Sequence, residues 1–371
     1  MKVIVAPDSF KGSLPAGGVA SAIAAGWRSV RPKDDVVERP MADGGEGTLA
    51  ALGMAWPLAE RRPVTVSGPT GAPVEAYWLW LPPTPEQPGG TGVVELASTC
   101  GIELLPDGLA PWDAGTLGLG QAVAAALDAG VTDLVLGIGS SASTDGGAGL
   151  LQALGARLLD SDSRPIPTGA RGLALLSTVD VTALRQPPSG GVTVLTDVTN
   201  PLTGPRGAAA VFGPQKGLSA SDVTVVDALL GRLASLLGVD PGTPGSGAAG
   251  GTGAALLFWG ADLVSGADEV ARLIGLPEEL AGADFVVTGE GAFDAQSAAG
   301  KVPGLVTRLA ASAGVGRVLV AGRIAIDADV SAFDTTVSLT ELAGGAERAM
   351  ADPVGFLTLA GARLAAAIPT R

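Results

Sequence analysis

The 371-residue chain has no histidine, one cysteine and one tyrosine, and only 4% of it is aromatic. Without histidine, Ser-His-Asp catalysis, phosphohistidine chemistry and imidazole zinc sites are excluded, together with the commonest general base. The lone Cys100 can form neither an intrachain disulfide nor a multi-thiolate metal site, and reads as a small buried hydrophobe. Scarce aromatics argue against stacking platforms for single-stranded nucleic acid and against an aromatic membrane belt. Basic residues number 23 against 37 acidic ones, and the net charge of -14 opposes a nucleic-acid partner. No apolar run approaches the ~20 residues of a membrane span, and Met1 runs straight into the strand-like Val3-Ile4-Val5 without a signal-peptide layout. The expectation is a cytoplasmic protein with small-molecule substrates, monomer or homodimer, binding neither membrane nor nucleic acid.

A hydrophobic content of 47%, mostly alanine, valine and leucine, implies a packed globular chain, and 56 glycines with 27 prolines make it rich in loops. Its length exceeds what one small core needs, which points to two domains. Aspartate, glutamate, lysine and backbone amides are left to carry the chemistry. Any metal must take hard oxygen ligands, hence Mg²⁺, Mn²⁺ or Ca²⁺.

Val3–Ala6, an alanine-rich amphipathic stretch over 14–30, Val36–Arg39 and Thr48–Met54 read as strand, helix, strand and helix, the order of a parallel sheet. From Pro63 the pattern changes to hairpins: Val64–Val66, a turn at Gly68-Pro69-Thr70-Gly71, Val74–Leu81 and Val93–Leu96. Helix 116–129, strand Asp133–Leu136, helix 145–154 and strand Val192–Leu195 follow, with a glycine-rich turn over 242–253 and strands at Phe285–Val287 and Arg317–Ala321. The fold class is therefore α/β in two domains. Residues 1–62 with 285–371 form a Rossmann/flavodoxin-like parallel-sheet domain, and 63–284 an inserted domain with a mixed sheet.

Three segments join acidic residues to clustered glycines: Asp43-Gly44-Gly45-Glu46-Gly47, Asp145-Gly146-Gly147 and Gly289-Glu290-Gly291 with Asp294. Glycine brings backbone close to a ligand, carboxylates suit a cation, a proton or a hydroxyl, and glycine amides suit phosphate oxygens, so the set points to phosphoryl transfer. Asp8, Ser140, Asp197 and Glu290 each follow a strand, where open α/β sheets bind ligands. As N-caps and turn formers these residues would need no ligand at all. No Gly-x-x-x-x-Gly-Lys-Ser/Thr segment exists, yet Lys11, Lys216 and Lys301 each adjoin a glycine and can offer point charges to anions. Gln296, Ser297 and Lys301 lie on one connection with Asp294. Gly137-Ile138-Gly139-Ser140-Ser141-Ala142 also fits a dinucleotide fingerprint with Asp160 as ribose acid, the rival reading of a nicotinamide- or flavin-dependent oxidoreductase.

Ala6–Ser13, Pro40–Thr48, Asp197–Leu202, Val211–Gly217 and Thr288–Gly291 with Asp294–Ser297 resemble the bacterial glycerate kinases that lack a P-loop, and the resemblance runs along the whole chain. It implies ATP-dependent phosphorylation of D-glycerate with Mg²⁺, commonly at the 2-hydroxyl, in a cleft between two α/β domains. On this reading Asp197, Asp43 and Lys11 are catalytic, with Asp197 favoured over Asp43 as base. Asp8, Ser9, Glu46, Asn200, Lys216, Gln296 and Lys301 bind substrate. Gly137, Gly139, Ser140, Ser141, Asp145, Gly146 and Gly147 bind nucleotide, and Glu290 and Asp294, with Asp8 as a further candidate, hold the metal. Two departures stand out. The family usually has glycine, threonine and asparagine where this chain has Ser140, Ser143 and Thr144, and a basic residue where it has Ala292. A homologue that binds nucleotide without turnover is the third alternative.

Overall fold

The computed structural model describes residues 1–295 and 302–368, so Gln296 and Lys301 lie outside the described residues. The chain divides into two compact units: Met1–Asp43, Ala50–Pro57 and Ala267–Arg371 in the first, Gly44–Leu49 and Leu58–Gly266 in the second.

The first unit is built on a five-stranded sheet in the order Thr335–Ser338, Gly316–Ile324, Phe285–Phe293, Lys2–Val5, Asp35–Glu38. All its pairings are parallel. Numbered within the unit the order is 2-1-3-4-5, the flavodoxin-like winding, which reverses between Lys2–Val5 and Phe285–Phe293. Helices Ala16–Val30 and Pro353–Ala367 pack closely because Gly26 and Gly361 carry no side chain. A Cβ on Gly26 would fall 1.9 Å from the Thr358 carbonyl, and one on Gly361 2.2 Å from that of Ile23. Val3, Ile23, Trp27, Val318 and Leu357 form the core beneath them.

One element is longer than its sequence pattern. The strand starting at Phe285 runs to Phe293, so Gly289-Glu290-Gly291 lies inside it and not in a loop beyond it. The reason is the neighbouring strand, which stays in register from Phe285↔Gly316 to Phe293↔Ile324. Gly289 is needed there, since a Cβ would meet the Val320 carbonyl at 1.8 Å.

The second unit carries a six-stranded mixed sheet in the order Asp262–Val264, Val192–Leu195, Asp133–Gly137, Thr91–Glu95, Pro73–Leu81, Glu60–Ser67. Its first four strands are parallel, and the last two join as antiparallel hairpin strands. Leu119, Leu134, Leu136, Leu150 and Leu230 are among its core residues. The glycine-rich stretch expected to be only a turn enters a helix, Ala248–Phe258. Left-handed Ala249, Gly250 and Gly251 kink its first turn, and the buried Thr252–Leu256 continues as regular helix. Glycine content signals the kink, but the helix comes from apolar residues packing on the core.

Candidate active site

In the first unit the carboxyl ends of Lys2–Val5 and Phe285–Phe293 adjoin at the reversal of strand order, where open α/β sheets bind ligands. The Asp8 amide donates to the Gly289 carbonyl at 2.8 Å, and the Asp8 carboxylate accepts from its neighbour's amide, that of Ser9, at 2.6 Å. Burial first, then the charge of Asp43 and, more weakly, of Glu290 push the Asp8 carboxyl up to about 7, against the Ser9 hydrogen bond and the pull of Lys11. Asp8, Asp43 and Glu290 thus interact electrostatically, although they are far apart in sequence. Glu290 is buried, Asp294 half-buried, and Lys11 and Asp43 exposed. Gly291 lets its strand lie against the 8–13 loop, since a Cβ there would sit 3.3 Å from Phe10 Cα.

Among the described residues no group of three or more Asp, Glu, Cys or His side chains is placed to hold a metal ion. One or two carboxylates suffice for a hard cation that is otherwise held by ligand phosphates and water, and Asp8, Glu290 and Asp294 are the carboxylates that could serve. Burial, and after it the charges of Asp43 and Glu290, disfavour the charged form of Asp8, a cost that a cation beside these carboxylates would reduce. Ala292, where the resemblance implies a basic residue, lies in register with the exposed Arg323 of the next strand.

In the second unit the acidic Gly44–Leu49 loop packs against the carboxyl edge of the sheet. The Gly139 amide donates to the Gly44 carbonyl at 3.0 Å. Cβ atoms on Gly137 and Gly139 would come within 2.7 and 2.6 Å of the Gly44 and Gly45 backbone. The Gly44–Leu49 loop is thereby held against the Gly137–Gly139 turn, and Glu46 within it is exposed.

The loop after strand Asp133–Gly137 borders a pocket of about 200 Å³. Gly139, Ser140, Ser141, Thr196, Gln215 and Lys216 supply its polar lining, and Ile102, Ile138, Val198, Phe212 and Ala249 its apolar walls. Lys216 is 3% exposed, and its Nζ donates to Ser141 Oγ and to the Ser143 carbonyl, both at 2.6 Å. Burial pulls its ammonium down to about 8, although the field of Asp145 opposes the shift. Among the described residues it forms no ion pair. Ser140 and Ala249, with φ of 59° and 51°, are two of only three non-glycine residues with positive φ among the described residues, and both line this pocket. Such strain concentrates at functional sites. The glycine that the resemblance implies at position 140 would adopt this conformation freely, whereas Ser140 adopts it with strain.

Several expected site residues turn inward. Asp145 is fully buried, and its carboxylate accepts from the Thr116 amide and hydroxyl at 3.0 and 2.8 Å and from the Gly147 and Gly149 amides at 3.1 and 3.3 Å. The Gly146 amide donates to the Gly250 carbonyl. These groups order the loop from inside and do not line the pocket. The helix after the loop begins only at Ala148, so the immediate strand–turn–helix context of a dinucleotide fingerprint is absent. Asp160 instead accepts the amides of Asp162 and Arg164 within its own exposed turn.

Asp197 is exposed after strand Val192–Leu195, with Oδ1 accepting the Gly266 amide at 2.9 Å. Asn200 donates through its side chain to the Arg206 carbonyl at 2.8 Å. One residue escaped the sequence reading: Glu95, buried at the end of strand Thr91–Glu95, with Oε2 accepting the Leu49 amide at 3.0 Å. An acid ending the apolar run Val93-Val94 was the available signal.

Comparison with known proteins agrees with the α/β fold. The sequence profile of the Glycerate kinase family matches residues 3–369. A glycerate kinase of Bacillus subtilis (strain 168) is 42% identical over 339 residues, 89% of this chain and 87% of that protein. A glycerate 2-kinase of Escherichia coli (strain K12) is 42% identical over 311 residues, 82% of this chain and 80% of that one. Among solved structures, that of a candidate glycerate kinase 2 from Salmonella typhimurium LT2 superposes with a TM-score of 0.84 at 37% identity, covering 99% of this chain and 97% of the other.

Proposed function

Because the chain belongs to the glycerate kinase family, we propose that it transfers the γ-phosphoryl group of ATP to the 2-hydroxyl of D-glycerate, releasing 2-phosphoglycerate and ADP. The observation that carries this reading is the buried, unpaired ammonium of Lys216 in a pocket of about 200 Å³. A buried charge held by two neutral acceptors and the field of Asp145, with no ion pair among the described residues, is costly, and an anion entering the pocket would reduce that cost. The volume is below the ~300 Å³ at which drug-sized ligand pockets begin, so a three-carbon acid suits it better than a nucleotide. Ser141 and Lys216, which the sequence reading divided between nucleotide and acid, share this pocket. We assign both to the carboxylate of the acid.

Phosphoryl transfer asks the protein for in-line positioning, charge neutralisation and an acceptor for the hydroxyl proton. In our reading the glycerate oxygen attacks the γ-phosphorus, its proton passes to Asp197 with Asp43 as the alternative, and the bond to the ADP oxygen breaks. Lys11 neutralises phosphoryl oxygens, and Ser9, Glu46 and Asn200 orient the acid. Glu290 and Asp294, with Asp8, would hold Mg²⁺, which supplies charge neutralisation on the nucleotide phosphates when bound. The electrostatic interaction of Asp8 with Asp43 and Glu290, which adds to the effect of burial on its carboxyl, supports that assignment.

A coupled ADP-release assay across several hydroxy acids, with and without Mg²⁺, tests the proposal. Phosphorus NMR of the product then reads the position of transfer. Glycerate-independent ADP release would sink the substrate assignment, and a 3-phospho product would sink the acceptor assignment.

A further inference from the structure

Glu95 ends strand Thr91–Glu95, is 5% exposed and plays no part in the steps above. Burying a carboxylate is expensive unless donors compensate it. The acidic loop supplies the donor: the Leu49 amide at 3.0 Å, while the neighbouring Gly47 and Thr48 amides favour the charged carboxylate electrostatically. That loop needs anchoring. Gly44 and Gly47 stand at φ of 92° and 95°, and Gly45 adds further freedom, so ordering the loop carries an entropic cost. It is also tied by the Gly139 amide on the Gly44 carbonyl and by the Thr48 hydroxyl on the Gly45 carbonyl at 2.8 Å.

We infer that Glu95 is a positioning residue for the reaction, holding the Gly44–Leu49 loop in one register against Gly137 and Gly139 so that Glu46 presents a fixed carboxylate. The inference rests on the kinase reading for its catalytic consequence, but the anchoring itself does not. A buried carboxylate that accepts a loop amide is the pivot of that loop, as a side-chain cap is of a helix start. Burial pushes the Glu95 carboxyl up to about 7 and the charge of Glu46 adds to the shift, while the amides of residues 47–49 oppose it. The anchor therefore depends on those donors staying in place.

The test uses the full chain with Glu95→Ala, Glu95→Gln and Glu95→Asp. Amide hydrogen exchange of residues 44–49 is expected to quicken by about tenfold or more in Glu95→Ala, and kcat per folded molecule to fall about 10- to 100-fold with KM for ATP within about twofold. Glu95→Gln, which keeps an acceptor oxygen, is expected to restore both to within about threefold of the parent. Combining Glu46→Gln with Glu95→Ala should cost no more than Glu95→Ala alone, because the two act through one loop. A folded Glu95→Ala variant with unchanged exchange in 44–49, or with kcat preserved, overturns the inference. Should Glu95→Ala not fold, Glu95→Asp takes its place: its shorter carboxylate must quicken exchange more than Glu95→Gln does, and the reverse order refutes the anchor. If the parent protein releases no ADP with glycerate, the kinase reading falls, while the exchange data still judge the anchor.

Discussion

Lys216 Nζ lies 2.6 Å from Ser141 Oγ, bridging 75 positions of sequence to place a buried ammonium beside a hydroxyl at the edge of a small pocket. The relationship is unfavourable for folding and useful for an anion. That opposition makes it testable.

Replacing Lys216 by Met keeps length and removes the charge. Since a buried uncompensated charge is often stabilised little by its surroundings, Tm is expected to stay within about 3 °C of the parent. Loss of the charge-assisted contact is expected to lower kcat/KM for glycerate about 100-fold or more. Thermal melts and initial rates check both, and a large drop in Tm with activity per folded molecule intact would reassign Lys216 to structure.

The same lysine sets a pH dependence. Its folded-state value is lowered to about 8 from 10.5. Below about 8 the ammonium is charged and able to hold an anion, so kcat/KM, which reports free enzyme, should fall as pH rises through 8 toward 9. Stability moves the other way. Between about 8 and 10.5 the unfolded chain keeps a proton that the folded one has released, so this group favours folding increasingly as pH rises through that window. Rate profiles and urea midpoints at pH 7 to 10, with Lys216→Met as reference, separate the two effects.

Ser140 holds φ of 59° where glycine would be unstrained. Ser140→Gly is expected to stabilise the protein by about 1 kcal/mol, read as a rise in Tm. A fall instead would show that the hydroxyl contributes more than the strain costs.

Asp145 and Asp197 should part company. Asp145→Asn disturbs a fully buried carboxylate with four donors, and a loss of about 2–4 kcal/mol of stability is expected in denaturant titration. Exposed Asp197→Asn should leave stability within about 1 kcal/mol and lower kcat about 100-fold or more. Turnover within a few-fold of the parent would move the base to Asp43.

At the first unit's sheet edge, Asp8→Asn removes one of three interacting carboxylates. The ligand-free protein should gain Tm, and the Tm increment given by Mg²⁺ with ATP should shrink. An unchanged increment would exclude Asp8 from holding the cation.

The α/β class, the change of pattern at Pro63 and the acidic glycine segments are legible in the sequence because period, turn residues and composition are local properties. Val3-Ile4-Val5 before Pro7-Asp8 announces a strand and its ligand-facing end, and Gly68-Pro69-Thr70-Gly71 a hairpin, without reference to anything distant. Tertiary structure decided the rest. Asp145, reading as a phosphate-loop acid, is drawn inward by Thr116; Glu290, reading as a loop residue, becomes part of a strand because Gly316–Ile324 pairs with it; Glu95 acquires its partners from residues 47–49. Lys216 is indistinguishable from a solvated lysine until the chain folds it beneath Ser141 and Ser143. Sequence alone thus determines which groups can do chemistry, since that follows from residue type. Which of them are desolvated, paired or strained is set by long-range packing, because burial and hydrogen-bond partners come from segments far away along the chain.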